Sequence, residues 1–127
     1  MKAITVSLLI CASAQAQVFH CPALYPQATH AVVGDAHTFA TPSRLNRGGV
    51  YLGDIGSDGE LHGDRRSSKK GAIDVTYGLP DTTKKWFVCE YGESSITMWT
   101  AINDKATACT LQQRRCGDEV TVKAECK

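Results

Sequence analysis

The sequence lacks the features that mark several large classes of protein. It contains no apolar run of about 20 residues, which is the length that a helix needs to cross a bilayer. It also has no marked excess of charge, since 14 basic and 13 acidic residues give a net charge of +1. Nucleic-acid-binding proteins usually carry a basic excess on one face. The charge balance therefore argues against a nucleic-acid partner.

Motifs of the common catalytic and metal centres are also missing. The chain has no Gly-x-Ser-x-Gly elbow, no His-Glu-x-x-His helix and no glycine-rich phosphate loop. It has no Cys-x-x-Cys pair, and the acidic residues after Asp54 do not have the spacing of an EF-hand. We interpret the four histidines as surface or loop residues: His20, His30, His37 and His62. We therefore predict no catalytic residues, no cofactor and no metal site.

The N-terminal segment is typical of a secretory signal peptide. Lys2 precedes an apolar run over residues 3–12, and residues 14–16 (Ala-Gln-Ala) offer small side chains for cleavage. We expect residues 1–16 to be removed, which leaves a single domain over residues 17–127. This domain is predicted to be periplasmic or secreted. The alternative is lipidation of Cys11, although the bulky Ile10 before it is unfavourable for that modification.

Six cysteines are many for 127 residues, and an export signal places them in an oxidising compartment where disulfides persist. Removal of Cys11 with the signal leaves five, so one thiol has no partner within the chain. The favoured pairs are Cys89–Cys109 and Cys116–Cys126, and the first requires the chain to bend after the strand that ends near residue 102. Cys21 is then free, or it links two copies in a homodimer. The alternative joins Cys21 to Cys109 or Cys126.

Alternating apolar and polar residues predict a mainly β domain, or an α+β domain with little helix. The clearest strands are residues 72–77, 86–91 and 96–102. In the first of these, Ile73, Val75 and Tyr77 would share one face. No amphipathic helix longer than two turns is evident. We expect a small antiparallel sheet or sandwich stapled by disulfides.

Residues 53–71 are rich in glycine, aspartate, serine and charge, and they are predicted to form an exposed loop or hairpin tip. A protruding charged loop can steer or enter a protein partner. The alternative is an insertion without a role. The candidate partner-binding residues are Asp54, Asp58, Glu60, His62, Asp64, Arg65, Arg66, Lys69 and Lys70.

Three local features resemble a family of small exported proteobacterial proteins of largely unknown function. They are Cys21-Pro22, the strand Trp86-Phe-Val-Cys89-Glu-Tyr91, and Cys109 after the following strand. Some such proteins act as periplasmic immunity partners of secreted antibacterial effectors, and the resemblance implies this function here. The resemblance does not extend to Cys116, Cys126 or the loop at residues 53–71.

We therefore predict a binding protein of the inhibitor or immunity type, which blocks a secreted antibacterial or cell-wall-degrading enzyme. Such a protein needs a rigid β scaffold and a protruding loop, but no catalytic group. Its partner would be a protein, either a toxin or a cell-wall enzyme. The alternatives are a small envelope hydrolase and a structural envelope protein without enzymatic activity.

Overall fold

The computed structural model describes residues 15–25, 29–81 and 83–127. Most of the predicted signal peptide, including Cys11, lies outside these residues. The described part of the chain contains eleven β-strands and no helix. This confirms the mainly β prediction.

The strands follow one another along the chain with turns and short loops between them. They are β1 (Gln17–His20), β2 (Leu24–Tyr25), β3 (Thr29–Val33), β4 (Ala36–Ala40), β5 (Ser43–Leu52), β6 (Arg65–Lys69), β7 (Ala72–Gly78), β8 (Lys85–Tyr91), β9 (Ile96–Ala101), β10 (Ala108–Cys116) and β11 (Glu119–Cys126).

Two antiparallel sheets form the body of the protein. A five-stranded sheet has the order β1-β11-β10-β7-β6, and a four-stranded sheet has the order β2-β5-β8-β9. Strands β3 and β4 form a separate hairpin. Apolar residues from both sheets join one buried cluster, so the sheets pack face to face as a sandwich.

The alternation of side chains along the strands explains which face is buried. In β11, every second residue is buried, including Val120, Val122 and Ala124. In β7, Ile73 packs against the core while Val75 and Tyr77 lie within it, which confirms their predicted common face. Each sheet thus presents one apolar face to the other.

Strand β8 differs because its residues are buried on both faces, apart from the partly buried Trp86. Phe87, Cys89 and Tyr91 belong to the core between the sheets. Val88 and Glu90 alternate with them and point to the other face, yet they are also buried. Something must therefore cover the outer face of the four-stranded sheet at this point.

The chain changes sheets after Ile102. Strand β9 pairs with β8, whereas β10 pairs with β7 and β11 in the other sheet. The turn between them is held by a hydrogen bond that Ala106 N donates to Asn103 O at 2.9 Å. The bend that the sequence required after this strand is present, but it does not bring Cys109 to Cys89.

The disulfides differ from the predicted pairs. Cys21 is bonded to Cys89, with 5.7 Å between their Cα atoms, and Cys109 is bonded to Cys126, with 4.1 Å between theirs. The exposed thiol of Cys116 is the free one among the described residues. Cys21 is therefore not available for the homodimer considered above.

Strand register explains why these pairs form. Cys109 lies directly opposite Cys126 in the β10–β11 ladder, while Cys116 lies opposite Glu119 at the other end of the same ladder. Seven residues of extended strand separate Glu119 from Cys126, which is roughly 23 Å. A disulfide needs Cα atoms within about 7 Å of each other, so Cys116 cannot reach Cys126.

The two sheets approach closely at Gly48, and this contact gives a first testable prediction. A Cβ added at Gly48 would overlap Cγ1 of Val122 in the opposite sheet. We expect Gly48→Ala to lower the free energy of unfolding by about 1–3 kcal/mol through overpacking. Urea denaturation of Gly48→Ala, Val122→Ala and the double variant measures the coupling. Strict additivity of the two changes would show that this contact is not the cause.

Candidate functional site

The segment at residues 53–71 has three parts in the structure. Residues 53–58 form an exposed turn, residues 59–64 lie against the body of the protein, and Arg65–Lys69 form strand β6 at the edge of the five-stranded sheet. The prediction of an exposed loop or hairpin tip did not include this strand, which forms a hairpin with β7. All five side chains of β6 are nevertheless exposed, so its charges are displayed to solvent.

The middle part of the segment is anchored to strand β5 by backbone hydrogen bonds. Leu52 N donates to Gly59 O at 2.8 Å, and Leu61 N donates to Val50 O at 2.8 Å. Gly59 is required by close packing, because an added Cβ would overlap the carbonyl oxygen of Leu52. These bonds fix the position of Glu60, which lies between them.

Asp64 anchors the end of this middle part to strand β7. Its carboxylate accepts a hydrogen bond from Gly78 N at 2.7 Å, and its own backbone N donates to Thr76 O at 2.8 Å. Hydrogen bonds thus attach residues 59–64 to the sandwich at both of their ends. Its exposed charges are held on a scaffold that is already ordered.

Glu60 belongs to an ionic cluster with Arg47, Tyr51 and Glu90, which we call the Arg47 cluster. Arg47 donates hydrogen bonds to the carboxylates of both Glu60 and Glu90. The Tyr51 hydroxyl donates to Glu90 at 2.9 Å. Glu90 is only 6% exposed, and these two donors compensate its buried charge.

The cluster keeps its charges fixed. The pKa of Arg47 is raised above its ordinary value, because hydrogen bonds and charges from Glu60 and Glu90 outweigh burial, which alone would lower it. Burial raises the pKa of Tyr51 to about 12, and its hydrogen bond to Glu90 acts in the same direction. At neutral pH Arg47 therefore stays charged and Tyr51 stays neutral. This behaviour is typical of a structural ion network and not of an acid–base pair.

Aromatic rings cover the rest of the outer face beside this cluster. The ring centroid of Trp99 lies 4.9 Å from that of Tyr51 and 6.2 Å from that of Trp86. The indole N–H of Trp86 donates to Gly53 O at 2.8 Å. Trp99 lies opposite Val88 in the β8–β9 ladder, and Arg47 and Tyr51 contact Glu90, so these side chains cover the two buried residues on this face.

A cleft of about 370 Å³ opens beside the Arg47 cluster, between strand β5 and strands β7 and β10 of the other sheet. Its residues come from β5, the anchored segment, β6, β7 and β10. They are Asn46, Arg47, Gly48, Glu60, Leu61, His62, Arg66, Ile73, Tyr77, Leu111, Gln113 and Arg115. Three arginines and a histidine thus face a cleft with a single acidic residue, and that acid is already paired with Arg47.

The structure brings together only some of the predicted site residues. Glu60, His62 and Arg66 line the cleft. The remaining predicted residues lie outside it, on the turn, on β6 or at the anchor: Asp54, Asp58, Asp64, Arg65, Lys69 and Lys70. Within the described ranges, no group of three or more potential metal ligands is present.

Sequence reasoning missed two arginines of the cleft. Arg47 precedes Gly48, at which the sheets meet, and Arg115 follows the inward-facing Gln113 by one strand period. The pattern of alternation could have placed Arg115 on the inner face of β10. It could not have placed that face beside residues 60–66, which are about 50 positions away in the sequence.

Comparison with known proteins identifies the family. The family model described as type VI secretion system Tli immunity protein matches residues 40–127, which include strands β5–β11, the Arg47 cluster and the whole cleft. Comparisons with curated proteins and with solved structures gave no match. In the part of the chain that the structure describes, no helix is long and apolar enough to cross a membrane. The chain belongs to the family of type VI secretion system Tli immunity proteins, which block antibacterial effectors.

Proposed function

We propose that this immunity protein is exported to the periplasm, where it neutralises an effector by forming a stoichiometric complex with it. The binding surface is the charged segment at residues 53–71. The protein acts by occupying the effector and not by chemistry of its own. The observation that carries this proposal is the anchoring of the charged segment by Glu60 and Asp64.

Anchoring matters because an ordered surface loses little conformational entropy when it binds. A loop that is already fixed by backbone and side-chain hydrogen bonds does not have to be ordered by its partner. The segment presents four basic side chains on and beside β6 and two acidic side chains in the turn: Arg65, Arg66, Lys69, Lys70, Asp54 and Asp58. Charges displayed in this way favour rapid and selective association with a complementary protein surface.

Two observations support export. Strand β1 begins at Gln17, directly after the predicted cleavage site, and the Gln17 side chain accepts a hydrogen bond from Asn103 N at 2.7 Å. The fold also contains two disulfides, which persist in the periplasm and are rare in the reducing cytoplasm. Both are expected if residues 17–127 fold after export.

A protection experiment tests the proposed compartment. Sensitive cells produce the cognate effector in the periplasm, together with either the full chain or residues 17–127 behind a new initiating Met. We expect the full chain to restore growth and the leaderless chain to fail, because it cannot reach the effector. Equal protection by both chains would contradict a periplasmic site of action.

The binding segment is best tested by substitution. Deletion of residues 54–70 would also remove Glu60 from the Arg47 cluster and the whole of β6. We expect the variant Asp54→Asn, Asp58→Asn, Arg65→Gln, Lys69→Gln to bind the purified effector at least about tenfold more weakly than the wild type. The matched control is Lys123→Gln, Glu125→Gln on the solvent face of β11. An unchanged affinity in the segment variant would remove the segment from the interface.

A further inference from the structure

We propose that the cleft between β5 and β10 accepts an acidic segment of the effector, with carboxylates directed towards Arg66 and Arg115. This inference rests on the proposed function, since it takes the effector to be the partner. It goes further by naming a second contact region beside the exposed segment and the chemistry that this region recognises.

The first argument is the charge of the cleft. Arg47 is neutralised by Glu60 and Glu90, whereas neither Arg66 nor Arg115 has an ion-pair partner among the described residues. Both of these side chains are exposed and both line the cleft. Unpaired charge concentrated on one concave surface is notable in a chain whose total charge is only +1. It gives the cleft a positive potential that attracts carboxylates.

The second argument is the shape of the cleft. Its lining is mainly polar, because Tyr77 and Leu111 are almost fully buried and leave charged and amide side chains to form the walls. A volume of about 370 Å³ is large enough for side chains with their flanking backbone, but not for a folded element. The cleft is thus suited to a short protruding segment.

The third argument is the free edge of β5 along the cleft. On this side β2 pairs with β5 at Ser43 and Arg44, Leu45 N donates to Ala23 O, and Val50 O accepts a hydrogen bond from Leu61 N. Between them, Gly48 N donates only to the side-chain oxygen of Gln113, at 3.3 Å. An entering segment therefore meets polar groups at the wall as well as charge at the mouth.

An acidic protein segment fits these features better than a simple anion does. Arginine pairs well with carboxylates because its planar guanidinium donates two parallel hydrogen bonds. Inorganic phosphate would use the charges, but it would fill only part of a cleft of about 370 Å³ and would not engage the amide side chains of Asn46 and Gln113. The combination of charge, volume and amide groups favours a polypeptide that carries aspartate or glutamate.

Charge reversal at the two arginines tests the proposal. Binding of the purified effector is measured by calorimetry, and its association rate by stopped-flow fluorescence at several salt concentrations, for residues 17–127 and for the variants Arg66→Glu and Arg115→Glu. We expect each variant to bind about tenfold to a hundredfold more weakly, and its association rate to depend less on salt. The matched control is Lys123→Glu, which makes the same reversal on the exposed face of β11 and should leave the affinity unchanged.

Further measurements separate the possible outcomes. Circular dichroism checks that each variant is folded. Acidic residues of the effector are then replaced singly by lysine, and the binding of each replaced effector to Arg115→Glu is measured. Restored binding by one of them supports the assignment directly. If the wild type binds the effector and both arginine variants bind it with the same affinity, the cleft contact is overturned but the proposed function is not. No binding by the wild type overturns the proposed function and the cleft contact with it.

A final arm uses inorganic phosphate as the probe. Phosphate is compared with chloride at equal ionic strength as a competitor of the effector. If phosphate competes more strongly than chloride, and if this difference is lost in Arg66→Glu and Arg115→Glu, the cleft is a phosphate site and the assignment to an acidic segment is wrong. Equal effects of the two salts support it.

Discussion

A variant in which Cys21 and Cys89 are both replaced by alanine is expected to unfold with a free energy about 4 kcal/mol lower than that of the wild type. The disulfide closes a loop of 68 residues and so restricts the unfolded chain strongly. It also joins the segment after β1 to the central strand β8 of the opposite sheet. Alanine avoids burying a new hydroxyl at Cys89, which is fully buried. Urea denaturation under non-reducing conditions measures the change.

Two further cysteine variants calibrate this result. Replacement of Cys109 and Cys126 by alanine is expected to cost about 3 kcal/mol, because their separation of 17 residues closes a shorter loop. Replacement of the exposed Cys116 by alanine should leave stability within the error of the measurement. A large loss on replacing Cys116, together with a small loss on replacing Cys21, would show that the bonds are paired differently. Peptide mapping of the unreduced protein would then identify the true pairs.

The second large effect is expected at Glu90. Glu90→Leu should lower the free energy of unfolding by about 3 kcal/mol, because it removes the buried carboxylate that compensates Arg47 and Tyr51. Arg47 retains its ion pair with Glu60 and is partly exposed, which keeps the loss below that of a fully buried charge. Denaturation by guanidinium chloride is less suited to this measurement than urea, since its salt screens the ions.

A double variant distinguishes the ion network from simple packing. In Arg47→Met, Glu90→Leu the two charges are removed together, so no buried charge is left uncompensated and much of the stability should return. Glu93→Leu, at an exposed position in the turn after β8, is the matched control and should have little effect. If the double variant were as unstable as the sum of the single variants, the loss would have to come from packing and not from unpaired charge.

Local patterns of side chains predicted the strands well because burial on one face imposes a period of two. The predicted strand at residues 86–91 corresponds to β8, and its two faces divide Phe87, Cys89 and Tyr91 from Val88 and Glu90 as expected. Periodicity does not reveal which strands become neighbours. The change of sheet after Ile102 is set by packing against strands that are distant in the sequence, and it decided the disulfide pairs.

The candidate site shows the same limit. Composition singled out residues 53–71 as an exposed segment, because a polar and glycine-rich stretch buries little surface. It did not indicate that Glu60 turns inwards to Arg47, or that Arg66 shares a cleft with Arg115. These relationships join three strands and a loop, and they exist only once both sheets have assembled. A basic cluster of this kind is invisible when residues are counted along the chain.

The pairing of β1 with β11 has a consequence for biosynthesis. Gln17 lies opposite Cys126 in this ladder, so the first strand to be made has no partner until almost the last residue has left the ribosome. The five-stranded sheet cannot be completed on a nascent chain, and contacts of such long sequence separation form slowly. A chain that stays incompletely folded throughout its synthesis is suited to export through a channel that admits only unfolded polypeptide. Loss of β1 would expose the edge of β11, whereas loss of β11 would leave both β1 and β10 without their common neighbour.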